Sequence, residues 1–375
     1  MHWSFKLFRF KGIDVKVHLT FVLILLWGAW SWSGSSAVAW QGAAFGVAAI
    51  LLLFASVTLH EFGHSLMAIK YGVRVREITL LPIGGVSQMD TIPEKPGQEL
   101  RMTLAGPLVN FAIAGVLIVA GVLLQAAAVV TIPELLRALG SASRGGLLAY
   151  LTIANLILGV FNLIPAFPMD GGRVLRALLA MRMSHRQATA IAATVGQGLA
   201  WLLGLWGFSS GNYSLILIAI FVWLGANQEG MSVEVKDVFA GMTVGQATTR
   251  QVRTLSPGDA LSQAVDLTLT TFQADFPVLQ LGRVVGLLTR SDVLKALHTQ
   301  GADVLVGQVM HTDLPVATPD ESLFEVQQRM TTNRTPALLV MDPNKELIGL
   351  LTAADINEAY VLLAARHQGP EAAGT

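Results

Sequence analysis

Gly42-Ala43-Ala44-Phe45-Gly46-Val47-Ala48-Ala49-Ile50-Leu51-Leu52-Leu53-Phe54-Ala55-Ser56-Val57-Thr58-Leu59-His60-Glu61-Phe62-Gly63-His64 decides the reading of this chain. Its first eighteen or so residues carry no charge and rise roughly 27 Å as an α-helix, close to the ~30 Å of a hydrocarbon core. The stretch ends with two imidazoles at i and i+4 on one helix face and a carboxylate between them. That spacing lets both rings reach one metal ion and leaves the glutamate to act on a bound water. The alternative is a pair of packing histidines beside a salt-bridged glutamate. Depth counts against it, because an unpaired carboxylate inside a bilayer costs at least about 2.5 kcal/mol.

Composition supports a membrane setting. Only 13% of the 375 residues are charged, against about 25% in soluble domains. The deficit lies in residues 1–228, while 229–375 have ordinary soluble composition. Six runs suit membrane spans: Val17–Trp32, Gly42–Ile69, Leu100–Val130, Leu147–Leu179 (broken in its middle), Ala188–Phe208 and Tyr213–Asn227. Lys6, Arg9, Lys11 and Lys16 precede the first run, so the N-terminus is expected in the cytosol. The links Lys70–Arg101 and Arg173–Arg186 are basic and fall on the same side, whereas Ser33–Gln41 and Ser209–Asn212 are uncharged. Arg137 and Arg144 in the outer loop Thr131–Gly146 are a mild exception. Net charge is zero, so no nucleic-acid partner is expected, and the absence of cysteine excludes disulfides and thiolate metal sites.

A catalytic zinc takes three protein ligands and leaves one position for water. Among the acids of the membrane half, Glu61 and Asp170 are the two expected at membrane depth. Asp170 closes Asn162-Leu163-Ile164-Pro165-Ala166-Phe167-Pro168-Met169-Asp170-Gly171-Gly172, where prolines and glycines must break the fourth span. A break at depth is tolerated where it is buried in protein or lines a wet cavity. A kinked helix ending on an interfacial aspartate is the alternative for Asp170. His18, at the start of the first span, is a rival metal ligand or an interfacial histidine.

The His60-Glu61-Phe62-Gly63-His64 helix, the Asn162…Pro165…Pro168-Met169-Asp170-Gly171 segment and the six-span plan together resemble the site-2 protease family of intramembrane zinc metalloproteases, over residues 1 to about 228. The resemblance implies Zn2+ bound by His60, His64 and Asp170, with Glu61 as general base. It also implies a polar role for Asn162 near the scissile carbonyl. Ile78–Ser87 resembles the family's re-entrant β-loop, which is thought to receive unwound substrate as an added strand; an ordinary surface hairpin is the alternative. Ala105-Gly106-Pro107-Leu108-Val109-Asn110 resembles a family motif read here as structural packing.

Residues 242–360 align with themselves at a period of about 60 residues. Ser256-Pro257-Gly258-Asp259 matches Thr318-Pro319-Asp320-Glu321, and Gly286-Leu287-Leu288-Thr289-Arg290-Ser291-Asp292 matches Gly349-Leu350-Leu351-Thr352-Ala353-Ala354-Asp355. This resembles a tandem pair of CBS domains, modules that commonly bind adenine nucleotides. By that resemblance Asp292 and Asp355 hold ribose hydroxyls, and Thr289 and Thr352 lie near phosphate of ATP or another adenine nucleotide. Ala354 stands where the first repeat has Ser291, so the two sites are not equal. Asp and Thr at a helix start are also ordinary caps, and the pair could serve only to form a homodimer.

The fold expected is a polytopic α-helical membrane protein with about six transmembrane helices, followed by an α/β tandem CBS module. The domains expected are a transmembrane zinc metalloprotease domain over 1–228, a linker over 229–238, CBS domains over about 239–300 and 301–365, and a disordered tail over 366–375. Both termini are expected in the cytosol of a prokaryote, with the lipid bilayer and a transmembrane protein substrate as partners. A CBS-gated transporter would explain the spans and the repeat, but a general base has no task there. An inactive scaffold does not need an intact His60, Glu61, His64 and Asp170.

Overall fold

A computed structural model describes residues 3–36, 38–89, 93, 95–123, 141–271 and 273–367. The chain divides into two compact units, Met1–Met231 and Ser232–Thr375.

The first unit opens on strand, not helix. β1 (Ser4–Phe10) and β2 (Ile13–His18) form an antiparallel hairpin. Lys11 and Gly12 between them have φ of 47° and 84°, the positive pair that a two-residue type I′ turn requires. β2 runs parallel to β3 (Val75–Leu81), and β3 antiparallel to β4 (Gly84–Met89), giving one sheet in the order β1-β2-β3-β4. Alternation sets its faces. Ile13, Val15, Ile78 and Leu80 are buried against Phe54, Phe62 and Met102 of the helices. Lys16 and Glu77 pair on the opposite face.

The helices of this unit are α1 (Phe21–Trp32), α2 (Ala39–Lys70), α3 (Pro96–Leu123), α4 (Arg144–Asn162), α5 (Asp170–Ala180), α6 (His185–Ser210) and α7 (Tyr213–Val238). Among the described residues, five helices are long and apolar enough to cross a membrane: α2, α3, α4, α6 and the Tyr213–Met231 part of α7. Their inward positions are small, with Ala49, Ala114, Ala149, Ala192, Ala200 and Ala226 buried, and their large side chains, such as Leu51, Val116, Trp201 and Leu205, point outward. Lipid tails are as apolar as leucine, so membrane helices associate through close approach rather than by hiding large residues.

Three boundaries differ from expectation. The first expected span loses Val17 and His18 to β2, where they pair with β1, leaving a 12-residue helix of about 18 Å. The fourth becomes two helices, α4 and α5, separated at the Pro165–Pro168 break. Gly171 and Gly172 let α5 fold back on that break, since a Cβ at Gly171 would stand 2.1 Å from the Ile164 carbonyl oxygen. The segment expected as a linker, 229–238, is helical to the end of α7, and its Val235 and Val238 pack in the core of the second unit. Most of the expected outer loop Thr131–Gly146 lies outside the described residues.

The second unit repeats one plan twice. The first repeat holds α8 (Val244–Ala247), α9 (Leu261–Thr271), β5 (Phe276–Gln280), β6 (Arg283–Leu288) and α10 (Arg290–Thr299). The second holds α11 (Val306–Val309), β7 (Val316–Ala317), α12 (Leu323–Asn333), β8 (Ala337–Met341), β9 (Leu347–Thr352) and α13 (Ala353–His367). Each repeat lends a segment to the other: Thr249 bridges Leu350 of β9, and His311 bridges Leu287 of β6. Leu287, Leu339 and Leu350 share one core, so the two repeats fold as one body. Of the expected tail, residues 366 and 367 end α13 and 368–375 lie outside the described residues.

Candidate metal centre

The two histidines of α2 stand one turn apart, and the break before α5 delivers Asp170 opposite them at the first turn of that helix. His64 Nε2 lies 3.1 Å from His60 Nε2 and 3.1 Å from Asp170 Oδ2, and His60 Nε2 lies 3.3 Å from the same oxygen. Both rings are buried, at 7% and 8% exposure. Their other nitrogens fix the tautomers. His64 Nδ1 faces the Met102 carbonyl oxygen at 2.9 Å, a pure acceptor, so Nδ1 carries the proton. Asn110 donates from Nδ2 to Asn155 Oδ1 (2.9 Å), which leaves Asn110 Oδ1 to accept from His60 Nδ1 at 2.5 Å. Both Nε2 atoms therefore present lone pairs toward a carboxylate oxygen. Three such lone pairs converging in a buried site repel one another unless a proton or a metal cation lies between them. A tetrahedral ion with bonds of about 2.0–2.1 Å separates its ligands by about 3.3 Å, so this donor set and spacing suit zinc.

Glu61 sits beside this group on α2, and Ser87 of β4 donates from Oγ to its Oε2 at 2.5 Å. Gly85 must be glycine for the strand to pass so close, because a Cβ there would fall 2.6 Å from Glu61 Cγ. Gly106 does the same on α3: its Cβ would stand 2.2 Å from His64 Nε2. Asn162 ends α4, half-buried, before the break that leads to Asp170. His18 bonds its neighbour Thr20 through Nδ1 (2.8 Å) and is not part of the cluster of His60, His64 and Asp170.

Several partners were not legible beforehand. Asn110 and Asn155 are fully buried, and Asn155 passes the chain on, donating to Ser56 Oγ (3.2 Å) and to the Leu151 carbonyl (2.8 Å). The Ala105–Asn110 motif, read as packing, thus carries a hydrogen-bond partner of His60 as well as the glycine that admits His64. Arg176 of α5 and Glu99 of α3 are buried at 1% and 0% exposure. Arg176 donates from Nε and Nη2 to Glu99 Oε1 (2.8 and 2.5 Å) and from Nη1 to Glu229 of α7. The sequence reading put Glu99 and Arg176 in cytosolic links; only the fold shows them enclosed.

In the second unit, the four residues singled out from sequence form two reciprocal caps. Thr289 Oγ1 accepts from the Asp292 amide, and Asp292 Oδ2 accepts from the Thr289 amide and hydroxyl at the start of α10. Thr352 and Asp355 repeat this at α13. The free carboxylate oxygens are met from the other repeat, Asp292 Oδ1 by His311 Nε2 (3.0 Å) and Asp355 Oδ1 by Thr249 Oγ1 (2.8 Å). Asp275, missed from sequence, accepts from the Arg290 amide. Burial raises its carboxyl above the ordinary aspartate range, and the nearby charges of Asp292 and Asp355 push the same way.

Comparison with known proteins decides the family. Residues 48–203 match peptidase family M50. The chain is 35% identical, over 97% of its own length and 98% of the relative's, to zinc metalloprotease MJ0392 of Methanocaldococcus jannaschii. The chain belongs to peptidase family M50. This M50 member is a zinc metalloprotease of the site-2 type and an integral membrane protein. Residues 244–299 and 306–362 each match the CBS domain, so it carries a tandem CBS pair. A solved site-2 protease from M. jannaschii is similar to 61% of this chain at 42% identity, with 95% of that structure covered and a TM-score of 0.43. The CBS pair is also similar to the CBS domain-containing protein YhcV of Bacillus subtilis, at 30% identity over 30% of this chain and 82% of YhcV.

Proposed function

We propose that this enzyme hydrolyses peptide bonds in or near the transmembrane segments of membrane-protein substrates, with zinc held by His60, His64 and Asp170. The observation that carries this is the convergence of three lone-pair donors at 3.1–3.3 Å beside Glu61 and an edge strand. Zinc, when bound, lowers the pKa of a coordinated water and polarises the scissile carbonyl. Glu61 is the base that takes the proton from the attacking water and returns it to the leaving amine. Ser87 holds Glu61 Oε2, leaving the other carboxylate oxygen for that transfer. Asn162 is assigned to the substrate carbonyl.

Among the described residues, β4 pairs on one side with β3 and ends the sheet. A substrate helix has to be opened before hydrolysis, and its released amides need partners; an added strand beside β4 supplies them. The same strand carries Gly85 and Ser87 against Glu61, so a substrate aligned there is aligned to the base.

The topology supports both termini on the cytosolic side even though α1 is short. β2 precedes α1 and β3 follows α2, and both lie in one sheet. The α1–α2 hairpin therefore leaves and returns at the same level, and the number of passages stays even. The CBS pair then falls on the cytosolic side, where an adenine nucleotide held near Thr289, Asp292, Thr352 and Asp355 would regulate access to the zinc.

The test is purified full-length protein with a single-span transmembrane substrate. Glu61→Gln keeps shape but removes the base, so cleavage should fall by at least about 100-fold while bound zinc stays near one per chain. His60→Ala with His64→Ala should lose both zinc and cleavage. Near wild-type cleavage by Glu61→Gln, or wild-type zinc in the double variant, overturns the assignment.

A further inference from the structure

We propose that β1 is a membrane-interface strand whose basic face gathers anionic lipid headgroups. The strand is the uncovered margin of an otherwise buried apolar face. Phe5, Phe8 and Phe10 are cross-strand partners of Val17, Val15 and Ile13 and so share the face on which Val15 and Ile13 are wholly buried. Yet the three phenylalanines are 60%, 48% and 48% exposed, because the helices cover β2 and β3 but not the edge. Phe10 nonetheless meets Phe62 of α2 edge to face at 5.5 Å, which fixes the strand at the level of the metal-site helix.

The level is that of the bilayer surface. α1 starts at the sheet and provides only about 18 Å of rise, less than the ~30 Å of a hydrocarbon core, so the sheet must sit within the cytosolic boundary of the bilayer. The uncovered surface is continuous with that of α1: the Leu19 amide donates to the Trp3 carbonyl, and Leu19, Val22, Leu23 and Leu26 are exposed. Edge amides and carbonyls cannot face hydrocarbon without partners, which places β1 at the headgroups, with its phenylalanines toward the acyl chains.

The other face chooses the lipid. Lys6, Arg9 and Lys16 line it, Lys11 stands in the turn, and Asp14 is the one acid among residues 3–18. Lys6 and Arg9 both reach Asp14, and Lys16 reaches Glu77, so the hairpin keeps an excess of positive charge after internal pairing. A second protein strand is the less suitable occupant. The register slips between Lys6 and Phe8, a bulge, and exposed bases interrupt the edge; both features oppose strand addition.

The chain has no cysteine, so Phe8→Cys and Lys11→Cys can each be spin-labelled in the full-length protein and placed in phosphatidylcholine nanodiscs with or without phosphatidylglycerol. The Phe8 label should be open to oxygen and shielded from a water-soluble nickel chelate, and the Lys11 label the reverse. Native mass spectrometry of the wild type should show phosphatidylglycerol retained over phosphatidylcholine. Lys6→Gln with Lys11→Gln should cut that preference by roughly fivefold or more. Equal nickel access at both labels overturns the interfacial placement. Label-to-label distances that bring two Phe8 sites together assign the strand to a second copy instead. An unchanged lipid preference in the double variant removes the headgroup site.

Discussion

Asn110 shows how much a single neutral residue can do in the candidate metal centre. Its Oδ1 is committed as an acceptor by the bond its own amide makes to Asn155, and that commitment selects the His60 tautomer whose Nε2 can bind metal. Asn110→Ala should weaken zinc by about 10- to 100-fold, measured by chelator competition on the full-length protein. Asn110→Asp retains the acceptor and should hold zinc far better than the alanine variant. Asn155→Ala should lie between wild type and Asn110→Ala, since it removes the support and not the contact. Equal zinc affinity in wild type and Asn110→Ala would show that the His60 ring is oriented by packing alone.

At the scale of elements, α5 is the piece that needs explaining. It is an 11-residue helix, too short to span, and it must hold Asp170 against a helix more than a hundred residues earlier. Arg176 pins it, joining α5 to Glu99 on α3 and Glu229 on α7 with both buried members nearly inaccessible. Enclosed ion pairs add little beyond an apolar replacement, but removing one partner strands the other charge. Arg176→Ala should therefore lower stability by about 3–5 kcal/mol, seen as a drop in thermal unfolding temperature. Arg176→Met combined with Glu99→Gln should recover much of that loss. A double variant no more stable than Arg176→Ala would mean that the guanidinium packs rather than neutralises.

For the whole molecule, the question is whether the CBS pair acts on the protease domain. A nucleotide can alter cleavage only by preferring one of two arrangements over the other. Affinity by calorimetry and cleavage rate across the same titration should therefore move together. Asp292→Ala or Asp355→Ala should weaken binding and flatten the response. Because each aspartate also closes a helix cap, a thermal melt of each variant must accompany the titration; an unchanged melt with lost binding assigns the loss to the site. If no adenine nucleotide binds at millimolar concentration, the module has another role.

The candidate metal cluster and the repeat were legible in the sequence by itself. His60, Glu61 and His64 are set by spacing along one helix, Asp170 by the break that prolines and glycines impose, and the CBS repeat by self-alignment. These are local signals, readable because helix period and turn chemistry act within a few residues. The tertiary structure alone decided what depends on distant partners. Phe5-Lys6-Leu7-Phe8-Arg9-Phe10 carries no clear period of its own and becomes strand through pairing with β2, which is itself paired to β3 some sixty residues later. Asn110 meets His60 across 50 positions and Arg176 meets Glu99 across 77. No local pattern announces a buried amide or a buried ion pair, because its stability comes from the partner that satisfies it, and the fold supplies that partner.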